Sequence, residues 1–238
     1  MKQIFTRRAG MIGMMCLLTI FLTSCLKNNN NQHYYPVPQV ALVSAINASP
    51  DAQPVDFFLD QNRGNNFSIK SGESLDYINA YTGKRNITFF VGGSSQKIAT
   101  DTATFRAGKL YSVFLANLVS TPDVLVIADS VGAPATGKSG IRFVNLSTDN
   151  QAVDLVIKGG ATLASSKTYK QYSSFATVAG GSTYTFEVHK AGTATVLYTL
   201  TDVPIRNSTL NTIWIQGQAA ATDTKKLSAH KQENVFYY

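Results

Sequence analysis

Thiols are scarce in this chain of 238 residues, which has two cysteines, Cys16 and Cys25. Both precede the part of the sequence with the pattern of a folded domain, so that part cannot contain a disulfide. Its stability has to come from burial of apolar side chains, which domains of about 100 residues achieve without cross-links.

Long apolar runs are also missing, since a membrane-spanning helix needs about 20 apolar residues. The longest run, residues 11–22, is interrupted by Gly13. It follows the positive charges of Lys2, Arg7 and Arg8 and is followed by small residues. These are the parts of an export signal, so residues 1–24 are predicted to be a cleaved signal peptide.

The end of this signal, Leu22, Thr23, Ser24 and Cys25, resembles the bacterial lipobox. In a lipobox, small residues fit the signal peptidase and the cysteine thiol receives a lipid such as palmitate. The resemblance implies a lipoprotein held to a membrane through Cys25. The implied location is the cell envelope, at the periplasmic or cell-surface face of the outer membrane. An ordinary signal peptide with an incidental cysteine is the alternative.

Residues 25–39 are polar, rich in asparagine and poor in apolar side chains, which predicts a flexible tether. Removal of the signal lowers the formal charge from +7 to +4, because three cations are lost with it. The remaining charges are dispersed. The small lysine cluster near the C-terminus lacks interleaved aromatics, so no nucleic-acid partner is predicted.

No helical periodicity extends over the rest of the chain. Short runs of Val, Ile, Thr, Tyr and Phe recur every ten or so residues between Gly, Asn, Asp and Pro, a pattern typical of an all-β sandwich. Strands are predicted at 40–46, 55–60, 87–91, 111–117, 124–128, 141–146, 153–158, 184–189, 196–201 and 212–216.

An internal repeat divides the chain. Residues 47–56 return 98 residues later as 145–154, with identity at six of the ten positions. Similar apolar residues flank both copies, which favours duplication of an ancestral domain. The sequence therefore predicts a first β-sandwich domain at 40–132, a linker at 133–140 that is rich in small residues, and a second β-sandwich domain at 141–238.

The first copy, Asn-Ala-Ser-Pro-Asp-Ala-Gln-Pro-Val-Asp, resembles the signature of the domain-of-unknown-function family numbered 4397 (DUF4397). The second copy departs from it at Thr148 and Ala152, where the first has proline. The resemblance implies exported bacterial proteins, with tandem immunoglobulin-like or transthyretin-like antiparallel sandwiches behind a lipoprotein signal. The family's activity is undefined, so the resemblance concerns fold and location.

The repeat carries two pairs of carboxylates, Asp51 with Asp56 and Asp149 with Asp154. Such pairs can contact a ligand, hold calcium or perform acid–base chemistry. Short polar side chains at the end of a strand also bond to the following backbone and hold a turn. We favour the turn interpretation, and calcium or ligand contact remains the alternative.

Motifs for catalysis, cofactors and metals are missing. Three histidines are widely separated, no Gly-x-Ser-x-Gly elbow accompanies them, and the glycine pairs lack the Lys-Ser or Lys-Thr of a phosphate loop. No catalytic residue, metal or cofactor is predicted. Aromatic side chains at Trp214, Tyr77 and Tyr81 are candidates for a binding platform, with core packing as the alternative for Trp214.

Together these patterns predict a lipid-anchored, non-enzymatic binding or scaffolding module whose partner is a glycan or another envelope protein. The alternative is a carbohydrate hydrolase that uses the repeated aspartate pairs.

Overall fold

The computed structural model describes residues 39–129, 132–149 and 151–236, except for the side chain of Phe236. The predicted signal peptide, Cys25 and all but the last residue of the predicted tether lie outside these ranges. Within them the chain forms sixteen strands and no helix, which confirms the all-β prediction. None of the described segments is therefore a helix that could cross a membrane.

All ten predicted strands coincide with observed ones, and six strands were not predicted. The first eight are β1 (Val40–Asn47), β2 (Val55–Leu59), β3 (Asn62–Arg63), β4 (Ile78–Tyr81), β5 (Gly83–Val91), β6 (Lys97–Phe105), β7 (Leu110–Ala116) and β8 (Asp123–Ala128). The second eight are β9 (Lys138–Ser147), β10 (Val153–Ile157), β11 (Thr162–Lys167), β12 (Ala176–Ala179), β13 (Ser182–Lys190), β14 (Val196–Ile205), β15 (Thr209–Gly217) and β16 (Ser228–Phe236). Strand β9 thus begins inside the predicted linker.

The strands form two sandwiches of the same topology. The first has an inner sheet of order β4-β1-β7-β8 and an outer sheet of order β3-β2-β5-β6. The second has an inner sheet of order β12-β9-β15-β16 and an outer sheet of order β11-β10-β13-β14. Adding eight to each strand number of the first sandwich gives the second.

The sheets are antiparallel, as predicted, except at one strand pair in each sandwich. Strand β1 pairs with β7 in parallel, and β9 pairs with β15 in parallel. A tight hairpin joins only antiparallel strands, whereas these partners are separated by a long crossover through the outer sheet, which permits the parallel direction.

Each sandwich has its own apolar core between its inner and outer sheets. In the first, Phe57 of β2 and Phe89 of β5 are fully buried, with ring centroids 5.3 Å apart. In the second, Phe143 of β9 and Phe186 of β13 occupy the core. Alternate residues of the strands supply these side chains, as the two-residue period of a strand requires.

The two inner sheets pack on each other and form a third apolar core. Its members come from both sandwiches: Ile46, Ala48, Phe114, Ala116, Ile127, Val144, Leu146 and Trp214. Strands β9 and β15 are consequently buried on both faces, which explains their nearly continuous burial. The four sheets stack in the order outer, inner, inner, outer.

A buried ion pair crosses this interface. Asp129, directly after β8, accepts a hydrogen bond from the Arg142 guanidinium of β9, and their side chains are 0% and 2% exposed. The other Asp129 oxygen accepts from Tyr77 Oη at 2.6 Å and Ser112 Oγ at 2.8 Å. Burial and the Asp129 charge raise the pKa of Tyr77, so the hydroxyl stays protonated and donates.

Further polar contacts join the same two sheets. Thr212 accepts from Arg142 and donates to Asn234, whose amide reaches the Tyr77 hydroxyl at 3.0 Å. Gln232 of β16 donates to Ser44 of β1 at 2.6 Å. The interface is therefore an apolar core beside a connected polar network, a combination that fixes one relative position of the inner sheets.

Candidate functional site

The repeated motif holds equivalent turns in the two sandwiches. The amide of Asn47 donates to the backbone oxygens of Gln53 and Ile69, and its oxygen accepts from Ser49 N. Asn145 makes the corresponding contacts with Gln151, Lys167 and Ser147. Both asparagines are fully buried. Asparagine stands at both positions because its side chain holds the same turn in each sandwich.

The four aspartates of the repeat also bond to backbone groups. Asp51 accepts from Val119 N at 2.9 Å, and Asp149 accepts from Ala219 N. Asp56 accepts from Gly93 N, and Asp154 accepts from Gly192 N, each at 2.9 Å. Gly93 lies in the turn between β5 and β6, Gly192 lies in the turn between β13 and β14, and both have a φ of 68°. Each aspartate thus ties its motif to a distant turn.

Asp56 has three further partners. It accepts from Arg63 at 2.6 Å, Asn65 at 3.1 Å and Ser68 at 2.7 Å. Burial alone would raise the pKa of Asp56, but the hydrogen bonds and the Arg63 charge outweigh burial and hold the pKa below its usual range. The carboxylate stays ionised and saturated, so it is poorly placed to transfer a proton.

The geometry around the aspartates offers no cation cage. In the described residues, no group of three or more His, Cys, Asp or Glu side chains is arranged to hold a metal ion. At least one oxygen of each of the four carboxylates accepts from a backbone N–H group instead.

The aromatic residues singled out in the sequence do not meet. Trp214 is 1% exposed in the interface core, where it stacks on His230 with ring centroids 5.4 Å apart. Tyr77 is bound to Asp129 in the polar network. Tyr81 is 65% exposed, with the Arg85 guanidinium 6.0 Å from its ring centroid. These three residues therefore form no common platform.

A different aromatic pair lies on the outer sheet of the first sandwich. Phe58 of β2 and Phe90 of β5 are half-buried and meet edge to face, with centroids 5.1 Å apart and planes at 72°. Each directly follows a core phenylalanine, and successive strand residues point to opposite faces. Sequence reasoning missed this pair, although the doublets Phe57-Phe58 and Phe89-Phe90 are a visible signal.

The pair lines a groove of about 780 Å³ on that face. Around it lie the side chains of Asp56, Asp60, Gln61, Arg63, Asn86, Thr88, Ser94, Ser95, Lys97 and Thr100. We call this surface the Phe58–Phe90 shelf. It offers an apolar centre surrounded by amides, hydroxyls and charged groups.

A second cavity of about 590 Å³ lies beside the linker and β12 and includes Arg142. The guanidinium lies 4.9 Å from the Phe175 ring centroid and already donates to Asp129, Thr212 and the Ala128 oxygen. All three guanidinium nitrogens donate within the interface network, so Arg142 has a structural role in lining this cavity.

Comparison with protein-family models finds one match, to the family described as Domain of unknown function (DUF4397). Residues 41–156 match DUF4397. The match covers the first sandwich except Val40, includes both phenylalanines of the shelf, and extends through β9 into β10. A search of curated protein sequences found no match.

Solved structures similar to this chain have low TM-scores. A family 26 carbohydrate-binding module from Eubacterium rectale Amy13K, in complex with maltoheptaose, is 8% identical with a TM-score of 0.26, over 79% of this chain and 100% of that one. A structure described as alpha-glucan binding by a streptococcal virulence factor is 12% identical with a TM-score of 0.26, over 80% and 96%. The Bacillus anthracis TIE protein is 7% identical with a TM-score of 0.26, over 82% and 44%. TM-scores of this size do not establish a common fold.

The second sandwich, most of which lies beyond the DUF4397 match, has a different outer surface. Val156 occupies the position of Phe58, and His189 the position of Phe90, opposite Asp154 in the strand register. Glu187 replaces Thr88 and contacts His189 at 2.9 Å. In its described residues, the second sandwich therefore has no aromatic pair at the positions equivalent to the shelf, and it provides a matched control surface.

Proposed function

We propose that this protein is a lipid-anchored, non-catalytic module that binds a glycan on the Phe58–Phe90 shelf. The observation that carries this proposal is the edge-to-face aromatic pair on the open face of a sheet, where core packing does not require it. A partly exposed aromatic pair with polar groups around it is typical of a recognition surface.

The chemistry of the shelf suits a sugar. One face of a pyranose ring presents C–H groups that pack on an aromatic ring, and its hydroxyls point outward. Asn86, Thr88 and Thr100 line the same groove and supply amide and hydroxyl groups for those hydroxyls; the two threonine hydroxyls lie 3.2 Å from each other. The groove is open, so an internal segment of a longer glycan can enter it.

Replacing either aromatic residue, Phe58→Ala or Phe90→Ala, is expected to weaken glycan binding about tenfold, or about 1.4 kcal/mol, because the ring contact is lost. Hits from a glycan array probed with the full chain in mild detergent would be titrated by calorimetry. The matched control is Val156→Ala, at the equivalent position of the second sandwich. An empty array, or equal affinity of all variants, would refute the proposal.

Lipid attachment has its own test. Cys25→Ser is expected to abolish labelling by radioactive palmitate in growing cells and to release the protein from the membrane pellet, because the acceptor thiol is gone. Cys16→Ser is the matched control, since Cys16 lies inside the predicted signal peptide. Palmitate labelling that persists in Cys25→Ser would contradict the anchor.

A further inference from the structure

Each phenylalanine of the shelf has a cation directly opposite it in the strand register. Phe58 of β2 pairs with Arg63 of β3, and Phe90 of β5 pairs with Lys97 of β6. Strands β3 and β6 are the two edges of the outer sheet. The aromatic pair is therefore flanked by a positive side chain at each edge of the sheet.

The carboxylates in the groove are already neutralised. Asp56 is 4% exposed and paired with Arg63, while Asp60 pairs with Arg85 at 3.3 Å and accepts from Asn86 N at 2.9 Å. In the described part of the chain, no carboxylate lies within ion-pair distance of Lys97. The groove therefore carries an excess positive charge at the β6 edge.

Arg63 also retains donors for a ligand. Its ion pair with Asp56 uses one terminal nitrogen, and its side chain remains 40% exposed. A guanidinium has five N–H donors in a planar fork that matches an anionic oxygen pair. The β3 edge can therefore contribute a second, directional contact.

The spacing sets the length of the ligand. Three intervals between neighbouring strands separate β3 from β6, which gives about 14 Å, a length that about three sugar rings can span. A glycan lying across the strands would place ring faces on Phe58 and Phe90 and its outer substituents near Arg63 and Lys97.

Resting on the proposed glycan function, we infer that the Phe58–Phe90 shelf selects an anionic oligosaccharide, with its negative groups at Lys97 and Arg63. The shared chemistry is an anionic substituent on a sugar ring, whether the carboxylate of a uronic acid or a sulfate ester. The outer sheet of the second sandwich lacks these cations, since Val196 and Thr162 stand opposite His189 and Val156.

The test compares a charged sugar with its uncharged derivative. The full chain in mild detergent would be titrated with trigalacturonate, with its methyl ester and with a sulfated trisaccharide at low and high salt. The acid is expected to bind about tenfold more tightly than the ester at low salt, and the difference is expected to shrink at high salt. The acid and the sulfated sugar distinguish the two sources of negative charge.

Lys97→Gln is expected to lower the affinity for the acid severalfold, and to lower the affinity for the ester much less, because Arg63 still contacts the second negative group. Lys97→Arg is expected to retain the preference for the acid. The control is Lys190→Gln, an exposed lysine of the second sandwich. Equal binding of acid and ester, or array hits that are all neutral, would overturn anionic selectivity and leave the glycan function standing. If the parent protein binds none of the sugars, or if Phe58→Ala binds them as tightly as the parent protein does, the glycan function itself is refuted.

Discussion

Asp129→Ala is expected to lower the free energy of unfolding by about 3–5 kcal/mol, because it leaves the Arg142 guanidinium buried without a counter-charge. Both side chains are almost completely excluded from solvent, and Asp129 also accepts from Tyr77 and Ser112. The substitution therefore removes the acceptor that three donors share. Urea unfolding followed by far-ultraviolet circular dichroism measures the loss.

A second ion pair between the sandwiches provides the control. Asp123 accepts from Lys170 Nζ at 3.2 Å, and both side chains are about one-third exposed. Solvent screens such a pair, so Lys170→Gln, which leaves the hydrogen bond from Tyr169 to Asp123 in place, is expected to cost less than about 1 kcal/mol. Equal losses for Asp129→Ala and Lys170→Gln would contradict the buried network.

Trp214→Ala is expected to lower the free energy of unfolding by about 3–5 kcal/mol, because it leaves a cavity between the two packed inner sheets. The indole packs edge to face on Phe114 of the first sandwich, with centroids 6.0 Å apart, and stacks on His230. Its N–H donates to Gln216 at 2.9 Å. Because Trp214 is the one tryptophan of the chain, unfolding in urea is followed by circular dichroism and not by tryptophan fluorescence.

Two variants serve as comparisons for Trp214→Ala: one places a smaller ring at the same position, and the other removes a ring at a different position. Trp214→Phe keeps most of the apolar contact, so it is expected to cost clearly less than Trp214→Ala. Phe58→Ala removes an aromatic ring from the half-buried outer face of β2, where no enclosed cavity is left behind. It is expected to change the free energy of unfolding little. A small loss for Trp214→Ala would mean that the two inner sheets are not held together by this core.

The strands that sequence reasoning found are those with consecutive or alternating apolar residues, such as β1 and β15. The missed strands β3, β4 and β12 have two to four residues at sheet edges, too short for a period to show. Strand β16 was missed because its glutamine and asparagine side chains are buried against the other sandwich, where the amides of Gln232 and Asn234 donate to Ser44 and Ser112. A polar strand is normally predicted to be exposed to solvent, and its burial becomes visible only when the inner sheet of the other sandwich is in place.

The candidate site illustrates the same physical limit. The phenylalanine doublets show that one ring of each points into the core and one points out. Which outward rings become neighbours depends on the pairing of β2 with β5, a long-range feature. Trp214 and Tyr77 look like binding aromatics in the sequence, but each is covered by the inner sheet of the other sandwich. Burial between domains is absent from any local pattern.

Duplication of a domain ordinarily doubles the number of surfaces that face solvent. Here each sandwich buries one sheet face against the other sandwich, and the two remaining outer faces are about 30 Å apart and point in opposite directions. No short oligomer can touch both. Under the proposed function the chain is therefore monovalent: the first sandwich carries the shelf on its outer sheet, and the second sandwich packs against the opposite side of that domain.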